Sequence, residues 1–427
     1  MMRVGLSMLS FVLLLIVIVL SVALAWLIYT RQPYEKVYRP DAPTYGERGA
    51  YTVGVQQFTI TGEDRPLNGW VWYPAQGTPE LANYSAFNGV FEASGRANWD
   101  AQPRNDGAPY PLVVFSHGSG ASPLLSLFFT EHLASQGFVV IATEHPANTM
   151  IDRIGSNEAY DDAVVDNYIY RPQDVRRTID YALDDLNVGA LSGMIDAERI
   201  AVAGHSFGGY TSFASAGARL NLDALAQWCA DNDGVTVGDV RNESALTASN
   251  RDVLLADGAC YLLDNASRLA ELMRLPDVPT GAWPSLGDER ISAVIALAPW
   301  NAPIFGEENL TEITLPALIM VGSNDNTTKP ERDAHNFYSW LGSEDKTLVE
   351  FVLGDHSLFV DQCPPVLINA GFYASCSDPV WDLARAHNLT NHLATAFLRA
   401  TFYDDAGART ALNTAGDAFA GITVQRP

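Results

Sequence analysis

Basic residues are scarce in this sequence of 427 residues, and lysine is almost absent. Lysine and arginine together number 26, against 50 aspartates and glutamates, which gives a formal net charge of -24 at pH 7. The lysines are Lys36, Lys329 and Lys346. Nucleic-acid binding requires clustered positive charge against the phosphate backbone, so this composition argues against a nucleic-acid partner. The acidity favours solubility and predicts no binding role of its own.

Cysteine is also rare, with four residues in the chain: Cys229, Cys260, Cys363 and Cys376. None belongs to a C-x-x-C motif or to a Cys/His cluster, so their spacing predicts no metal site. Four cysteines fit an exported protein with two disulfides. Proximity in sequence favours Cys229 with Cys260 and Cys363 with Cys376, and free buried thiols are the alternative.

Charge is absent from one long stretch near the N-terminus, Leu6 to Tyr29. Its length suffices for the roughly 20 apolar residues that span a bilayer as a helix. We therefore interpret residues 1–30 as a membrane anchor or a signal segment. The small residues of Ala23-Leu24-Ala25 resemble a signal-peptidase site, so a cleaved signal peptide is the alternative to an anchor. In both cases the rest of the chain is predicted to lie outside the cytoplasm, in the periplasm or the extracellular space.

No internal repeat is found, and a composition of 48% hydrophobic and 18% charged residues is typical of a globular protein. Residues 31–50 are predicted to be a linker, and residues 51–427 a catalytic domain. The domain opens with two short runs that predict paired strands, "YTVGVQQFTI" and "LNGWVWYPA". Residues from about Gly77 to Pro109 are rich in Gly, Asn and Asp, which favours an insertion or a surface loop.

Apolar strands then alternate with helical patterns along the rest of the domain. Strands such as "PLVVFS", "RIAVAG" and "LPALIMVG" contain no polar alternation. This pattern predicts an α/β fold with a mostly parallel central sheet flanked by helices. In "RPQDVRRTIDYALDDL", Pro172 is predicted to lie near the first turn of a helix. A polar, acidic stretch at about residues 221–288 interrupts the alternation and is predicted to be an inserted cap or lid.

One serine stands among glycines where a predicted strand is followed by a helix, in Gly204-His205-Ser206-Phe207-Gly208-Gly209. A strand, a sharp turn and a helix are the context of the nucleophile elbow G-x-S-x-G. The elbow raises the Ser206 hydroxyl above the sheet edge. It also points the amide of Phe207, at the helix N-terminus, toward an oxygen that becomes negative during attack. The motif predicts Ser206 as a nucleophile and Phe207 as an oxyanion donor.

A serine nucleophile needs a histidine base, which is oriented in turn by a carboxylate. Asp325 follows the apolar run "LPALIMVGSN", and His356 follows "TLVEFVLGD". The carboxyl ends of parallel strands meet at one edge of a sheet, so Ser206, Asp325 and His356 are predicted to form a catalytic triad there. Asp355 is a weaker candidate for the orienting acid, because adjacent residues point apart.

The loop after the strand "PLVVFS" predicts a second oxyanion donor. We assign this donor to the amide of Ser119, with Gly118 and Gly120 as open alternatives. His117 in the same loop is predicted to be structural rather than catalytic.

Two further residues follow strand ends. His145 is compatible with the rim of the site or with a structural role. Trp300 in "LAPWN" predicts either a substrate-binding platform or core filling.

These motifs together resemble an α/β-hydrolase. More narrowly, the sequence is similar to plasma-type platelet-activating factor acetylhydrolases, to the related predicted dienelactone hydrolases and to bacterial cutinase-like polyesterases, over about Tyr51 to Phe402. The pieces that carry the resemblance are "VWYPA", "VVFSHGSGAS", "GHSFGG", "ALAPW", "VGSNDN" and "GDHS". The acetylhydrolase-like elbow and oxyanion loop imply Ser206 as nucleophile and the amides of Phe207 and Ser119 as oxyanion donors.

The sequence departs from the acetylhydrolases at the acid. In that family the acid ends the strand that corresponds to "VIALAPW", where this chain has Pro299 and Trp300. The resemblance to the cutinase-like enzymes implies that the acid follows the next strand, at Asp325, and that Trp300 lines the substrate cleft.

The expected function is that of a serine carboxylic-ester hydrolase. It would act through an acyl-enzyme on short to medium acyl esters, small or lipid-like, without a metal or an organic cofactor. Three alternatives stay open: a serine peptidase or amidase, a lipase or polyesterase that acts at surfaces, and a catalytically inert membrane-anchored binding module.

Overall fold

A ten-stranded sheet runs through the centre of the protein. The computed structural model describes residues 13–25, 39–62, 65–86, 89, 91–155, 157–232, 259–363 and 376–427. The strands are β1 Thr52–Ile60, β2 Leu67–Ala75, β3 Ala82–Ala86, β4 Phe91–Gly95, β5 Asn98–Trp99, β6 Tyr110–Ser116, β7 Val139–Thr143, β8 Ile195–His205, β9 Ile291–Leu297, β10 Ala317–Gly322, β11 Lys346–Phe351 and β12 Ile422–Gln425.

Helices cover both faces of the sheet. Those that we label are α1 Leu127–Ser135, α2 Met150–Gly155, α3 Asn157–Tyr181, α4 Phe207–Ser215, α5 Leu222–Asp231, α6 Ala266–Leu272, α7 Gly306–Thr311, α8 Ala334–Trp340, α9 Leu383–Tyr403 and α10 Ala406–Ala418. Strand β8 shows why both faces are covered, since Val202 packs into the core on one side and Ala203 into the core on the other. A strand buried on both faces has no polar alternation, as the sequence indicated.

The strand order is β12-β11-β10-β9-β8-β6-β7-β2-β1-β5. The six strands β7, β6, β8, β9, β10 and β11 pair in parallel. This confirms the predicted mostly parallel sheet. The carboxyl ends of these six strands lie at one edge, where an α/β sheet builds its sites.

The prediction for helix α3 was wrong at its start. The sequence predicted a helix that begins near Pro172, but α3 begins at Asn157 and contains Pro172 in its interior. A proline removes the N–H that would bond the carbonyl four residues earlier, here that of Tyr168. The hydroxyl of Tyr210 donates to this carbonyl instead, at 2.8 Å. The helix therefore continues through the proline because its orphaned acceptor is satisfied.

Two regions predicted as irregular or left unassigned contain strands. Within 77–109, β3 and β4 form an antiparallel hairpin, and β5 adds to the edge of the main sheet. Alternate residues of β3 are buried, among them Tyr84, so the hairpin covers the core despite its many turn-forming residues. At the other edge β12 pairs antiparallel with β11.

Within the N-terminal apolar stretch, the described residues 13–25 are helical and their side chains are exposed. No helix among the described residues is long and apolar enough to cross a membrane. The predicted anchor at residues 1–30 is therefore not supported; residues 1–12 and 26–30 of it lie outside the described residues.

Both disulfides occur in the pairing that sequence proximity favoured, Cys229 with Cys260 and Cys363 with Cys376. The first joins α5 to the turn that precedes α6, within the stretch at about 221–288. Part of that stretch, residues 233–258, lies outside the described residues. Its role as a cap or lid, and the boundaries at residues 30 and 50, remain predictions.

Candidate active site

Ser206 lies at the sharp turn between β8 and α4. Its backbone has φ 58° and ψ -119°, a left-handed conformation that a serine adopts only under strain. A side chain at Gly204 would overlap the carbonyl of Gly208, and one at Gly208 would overlap the carbonyl of Ser116. Gly204 is therefore required by close packing within the turn, and Gly208 by close packing of the turn against β6.

Asp325 and His356 are in direct contact at the same edge of the sheet. His356 Nδ1 lies 2.7 Å from Asp325 Oδ2, and the carboxylate is fully buried. The other oxygen, Oδ1, accepts the amides of Thr327 and Thr328, each at 2.8 Å. The hydroxyl of Thr328 donates to Oδ2 at 2.7 Å. Four donors thus hold the carboxylate in place, and His356 is one of them.

The two groups shift each other's protonation. Burial raises the pKa of Asp325, but the charge and hydrogen bond of His356 and the bonds from Thr328 outweigh it, so the net pKa is lowered. Burial lowers the pKa of His356, but the carboxylates of Asp325, Asp355 and Asp333 outweigh it, so the net pKa is raised above 6.5. Asp325 therefore stays ionised and stabilises the protonated imidazole.

His205, which precedes Ser206 in the chain, contacts His356. The ring of His205 packs 4.6 Å from that of His356, and burial together with the charge of His356 lowers the pKa of His205 to about 3. In the described part of the chain, the Ser206 hydroxyl makes no hydrogen bond to His356. Such bonds are often long before substrate binds. Ser206 and the ring of His356, whose side chain is 17% exposed, are both reachable from solvent.

The loop after β6 packs against Ser206. A Cβ atom at Gly118 would lie 3.4 Å from Ser206 Cβ, and Gly120 has φ 60°. Ser119 is partly exposed between them, and its hydroxyl accepts the side-chain amide of Asn148 at 3.1 Å. Phe207 is the first residue of α4, where an amide has no carbonyl to bond within the helix. These are the positions that two oxyanion donors would need, and their role remains a prediction.

His117 bonds the backbone with both ring nitrogens. Nδ1 lies 2.7 Å from the carbonyl of Gly118, and Nε2 accepts the amide of His145 at 3.0 Å. Burial, with the charges of Arg171 and His145, lowers its pKa well below the ordinary value. This arrangement leaves His117 no free nitrogen for proton transfer, which agrees with the structural role that the sequence favoured.

Trp300 lies beside the nucleophile and is partly exposed. Its amide donates to the carbonyl of Ser206 at 3.2 Å, and its indole nitrogen bonds the hydroxyl of Tyr168. The guanidinium of Arg332 covers the ring, 4.8 Å from its centre. Tyr168 and Arg332 therefore fix the Trp300 side chain in place. Its role as a substrate platform remains a prediction.

Sequence reasoning missed the residue beneath the oxyanion loop, Arg171 of α3. Its side chain is fully buried and its guanidinium bonds the carbonyls of His117 and Gly118. A signal was present in the helical spacing, because Tyr168, Arg171 and Val175 follow one buried face. A charged residue in an apolar stripe indicates a fixed polar contact.

The sheet and the helices that cover it have the α/β-hydrolase fold. A solved structure titled ferulic acid esterase from Streptomyces cinnamoneus is similar, with a TM-score of 0.50, 20% identity, and coverage of 86% of this chain and 93% of that one. The likeness supports the fold.

Sequence comparisons separate the chain into two portions. Residues 77–171 match the family described as platelet-activating factor acetylhydrolase, isoform II, and residues 283–367 match the family described as PET hydrolase-like. Ser119 lies in the first range, Asp325 and His356 lie in the second, and Ser206 lies between the two.

Individual relatives agree with both portions. Cutinase cut1 of Thermobifida fusca is 25% identical over 215 residues, which are 49% of this chain and 53% of the relative. Platelet-activating factor acetylhydrolase of Canis lupus familiaris is 31% identical over 149 residues, 27% of this chain and 33% of the relative. The chain thus spans about half or less of these curated relatives. The chain has the α/β-hydrolase fold and is similar to acetylhydrolases in one portion and to cutinases in another, as its motifs predicted.

Proposed function

We propose that this protein is a serine carboxylic-ester hydrolase. The observation that carries the proposal is the 2.7 Å contact between His356 Nδ1 and Asp325 Oδ2, at the strand edge that also bears Ser206 in its strained turn. A histidine held in this way by a buried carboxylate has its Nε2 available as a base. The relatives, which are named as cutinases and acetylhydrolases, support ester bonds as the substrate class.

The reaction would proceed in two halves. His356 Nε2 takes the proton of the Ser206 hydroxyl while Oγ attacks the ester carbonyl, and the amides of Phe207 and Ser119 bind the oxyanion. The C–O bond to the alcohol breaks, the alcohol leaves with the proton from His356, and an acyl-Ser206 remains. Water then gives a proton to His356 and attacks the acyl group, and the proton returns to Ser206 as the acid departs. Asp325 stabilises the imidazolium in both halves.

We further propose a preference for short to medium acyl chains, supported by the similarity of residues 77–171 to acetylhydrolases. The test is hydrolysis of p-nitrophenyl esters from acetyl to palmitoyl by the full chain, with Ser206→Ala measured in parallel. We expect turnover that declines with chain length and is lost in the variant. Equal turnover by Ser206→Ala would refute a serine mechanism, and a maximum at palmitoyl would refute the chain-length preference.

A polyester is the second candidate substrate, because residues 283–367 match a PET hydrolase-like family and Trp300 is partly exposed beside Ser206. Suspended polyester particles and a soluble ester of the same acid distinguish the two. Release of acid from particles that depends on Ser206 and falls in Trp300→Ala, with soluble turnover retained, would favour the polyester.

We place the enzyme outside the cytoplasm. Two disulfides persist in oxidising compartments and are rare in the cytosol. Mass spectrometry of the intact exported protein measures both the disulfides and the position of any N-terminal cleavage.

A further inference from the structure

Arg171 is an arginine without exposure to solvent, and it ranks among the largest fully buried side chains of the described chain. Removing a guanidinium from water costs several kcal/mol, and packed apolar residues would often serve stability as well. A buried arginine therefore calls for an explanation in terms of what it contacts.

Its contacts converge on the loop after β6. Nη1 donates to the carbonyl of His117 at 2.6 Å, and Nη2 donates to the carbonyl of Gly118 at 3.2 Å. Nε and Nη2 also donate to the side-chain carbonyl of Asn148, at 3.1 and 2.6 Å. Cζ of the guanidinium lies over the Phe207 ring, 4.6 Å from its centre. One side chain thus touches the loop on one side of the site and the first residue of α4 on the other.

The bond to Gly118 has a geometric consequence for the next amide. The carbonyl of Gly118 and the N–H of Ser119 belong to the same peptide unit, which is planar and trans, so they point in opposite directions. Arg171 and His117 Nδ1 both hold this carbonyl from the protein interior. The Ser119 N–H must then point away from the interior, and the loop at that point packs against Ser206.

A second route reaches Ser119 through its side chain. Two bonds from Arg171 fix the side chain of Asn148, whose amide nitrogen donates to the Ser119 hydroxyl at 3.1 Å. The backbone carbonyl of Asn148 accepts the amide of Gly120, also at 3.1 Å. The loop is therefore tied on both sides of Ser119 to groups that Arg171 holds.

We propose that Arg171 is a positioning residue that orients both oxyanion donors, the amides of Ser119 and Phe207. The inference rests on the proposed ester hydrolysis and adds a residue to it. Arg171 does not touch substrate: it fixes the Gly118–Ser119 peptide plane through its bonds and the start of α4 through its stacking on Phe207. A charged donor on the Gly118 carbonyl also polarises that peptide, which strengthens the Ser119 N–H as a donor.

The first test compares Arg171→Lys and Arg171→Gln with the wild type on p-nitrophenyl butyrate. Lysine keeps the charge but cannot make the forked bonds of a guanidinium. Loss of one oxyanion donor lowers kcat by about 100-fold or more, so we expect a fall of about this size in both variants. KM is expected to change little, because the donors act on the transition state.

Arg65→Gln is the matched control. Arg65 is also largely buried, and its side chain donates to Asp174 at 2.6 Å, to Asn167 at 3.1 Å and to the carbonyl of Pro146 at 3.0 Å, away from the oxyanion loop. Its substitution removes a guanidinium from the neighbouring polar network. We expect its kcat to stay within about threefold of the wild type, since no oxyanion donor moves. Equal losses of kcat in Arg65→Gln and Arg171→Lys would overturn a specific role of Arg171.

A second readout does not depend on turnover. Phenylboronic acid forms a tetrahedral adduct with an activated serine, with one boronate oxygen in the oxyanion hole. Its inhibition constant is expected to rise in the Arg171 variants by about the factor lost in kcat. An unchanged inhibition constant alongside a reduced kcat would overturn the proposal.

Rescue keeps the test decisive if a variant is poorly stable. In Arg171→Ala, millimolar guanidinium chloride is expected to restore part of kcat, while equal sodium chloride restores none. If Arg171→Lys folds and keeps the wild-type kcat, the positioning role of Arg171 is overturned and the proposed ester hydrolysis still stands. A wild type that neither hydrolyses the esters nor reacts with a fluorophosphonate at Ser206 overturns the proposed function, and this inference with it.

Discussion

Two sets of serine, histidine and aspartate lie near the same edge of the sheet. One is the candidate triad, and the other, which we call the buried chain, consists of Ser116, His145 and Asp174. In the buried chain, Ser116 Oγ lies 2.9 Å from His145 Nε2, and His145 Nδ1 lies 2.9 Å from Asp174 Oδ2. Bond by bond it resembles a catalytic triad more closely than the candidate triad does.

Each of the two histidines contacts one aspartate, but their further charged neighbours differ in sign. The buried chain is at most 2% exposed, and burial together with the charges of Arg171 and Arg65 lowers the pKa of His145 well below its ordinary value. The further neighbours of His356 are the carboxylates of Asp355 and Asp333, and the net pKa of its imidazole is raised. A histidine that must accept a proton during catalysis is helped by negative neighbours and hindered by positive ones.

Serine, histidine and aspartate thus have a structural role in one set and a candidate catalytic role in the other. In the buried chain they form a hydrogen-bonded network around a neutral histidine, which supports the oxyanion loop and is closed to solvent. In the candidate triad they form a proton-accepting site that solvent can reach. Access and the sign of the neighbouring charge, rather than residue identity, separate the two.

The largest expected difference between the sets concerns their serines. Ser206→Ala should lower kcat by about a million-fold, because the nucleophile is lost. Ser116→Ala should retain most ester hydrolysis but lower the free energy of unfolding by about 1–3 kcal/mol, because His145 Nε2 loses its buried partner. Single-turnover kinetics and urea unfolding measure the two effects. The comparison fails if the two folded variants lose activity equally.

The aspartates should differ next. Asp325→Asn leaves His356 without its orienting carboxylate, and the expected fall in kcat is about 10⁴-fold. Asp174→Asn removes the partner of Arg65 and His145, so it should cost about 3–5 kcal/mol of stability with a much smaller loss of activity. Steady-state kinetics beside thermal unfolding checks both. If Asp174→Asn lost more kcat than Asp325→Asn, catalysis would belong to the buried chain and not to the candidate triad.

The smallest effect is a shift in pH dependence. Since His356 must be neutral to act as a base and its pKa is raised, kcat/KM should rise with pH and reach half its maximum above pH 6.5. Asp355→Asn removes one of the carboxylates that raise this pKa, so the midpoint should move to lower pH. Asp174→Asn should leave it in place. A midpoint that moves upward in Asp355→Asn would contradict the electrostatic account.

The meeting of Asp325 and His356 could be predicted because each follows an apolar strand, and parallel strands end at a common edge. The buried chain could not, since Ser116, His145 and Asp174 carry no spacing that distinguishes them from solvated polar residues. His145 in particular was left between a rim position and a structural role, and its burial decides for structure.

Helix α3 shows why the remaining errors arose. Pro172 is a strong local signal for a helix start, but a tertiary contact from Tyr210 removes its cost. That misassignment concealed Arg171, whose place on the buried face of α3 is visible only if the helix continues through Pro172. A local signal such as Pro172 misleads where a side chain distant in sequence, here Tyr210, supplies the hydrogen bond that the signal assumes is missing.

The left-handed backbone of Ser206 has a consequence for attempts to make this protein more heat-resistant. A non-glycine residue at φ 58° costs about 1–3 kcal/mol of folding free energy. Glycine at this position would relax the turn, so selection for melting temperature alone would favour the loss of the nucleophile. Thermostability and activity therefore oppose each other at this one position, and screens for durable variants need a turnover step to keep the serine.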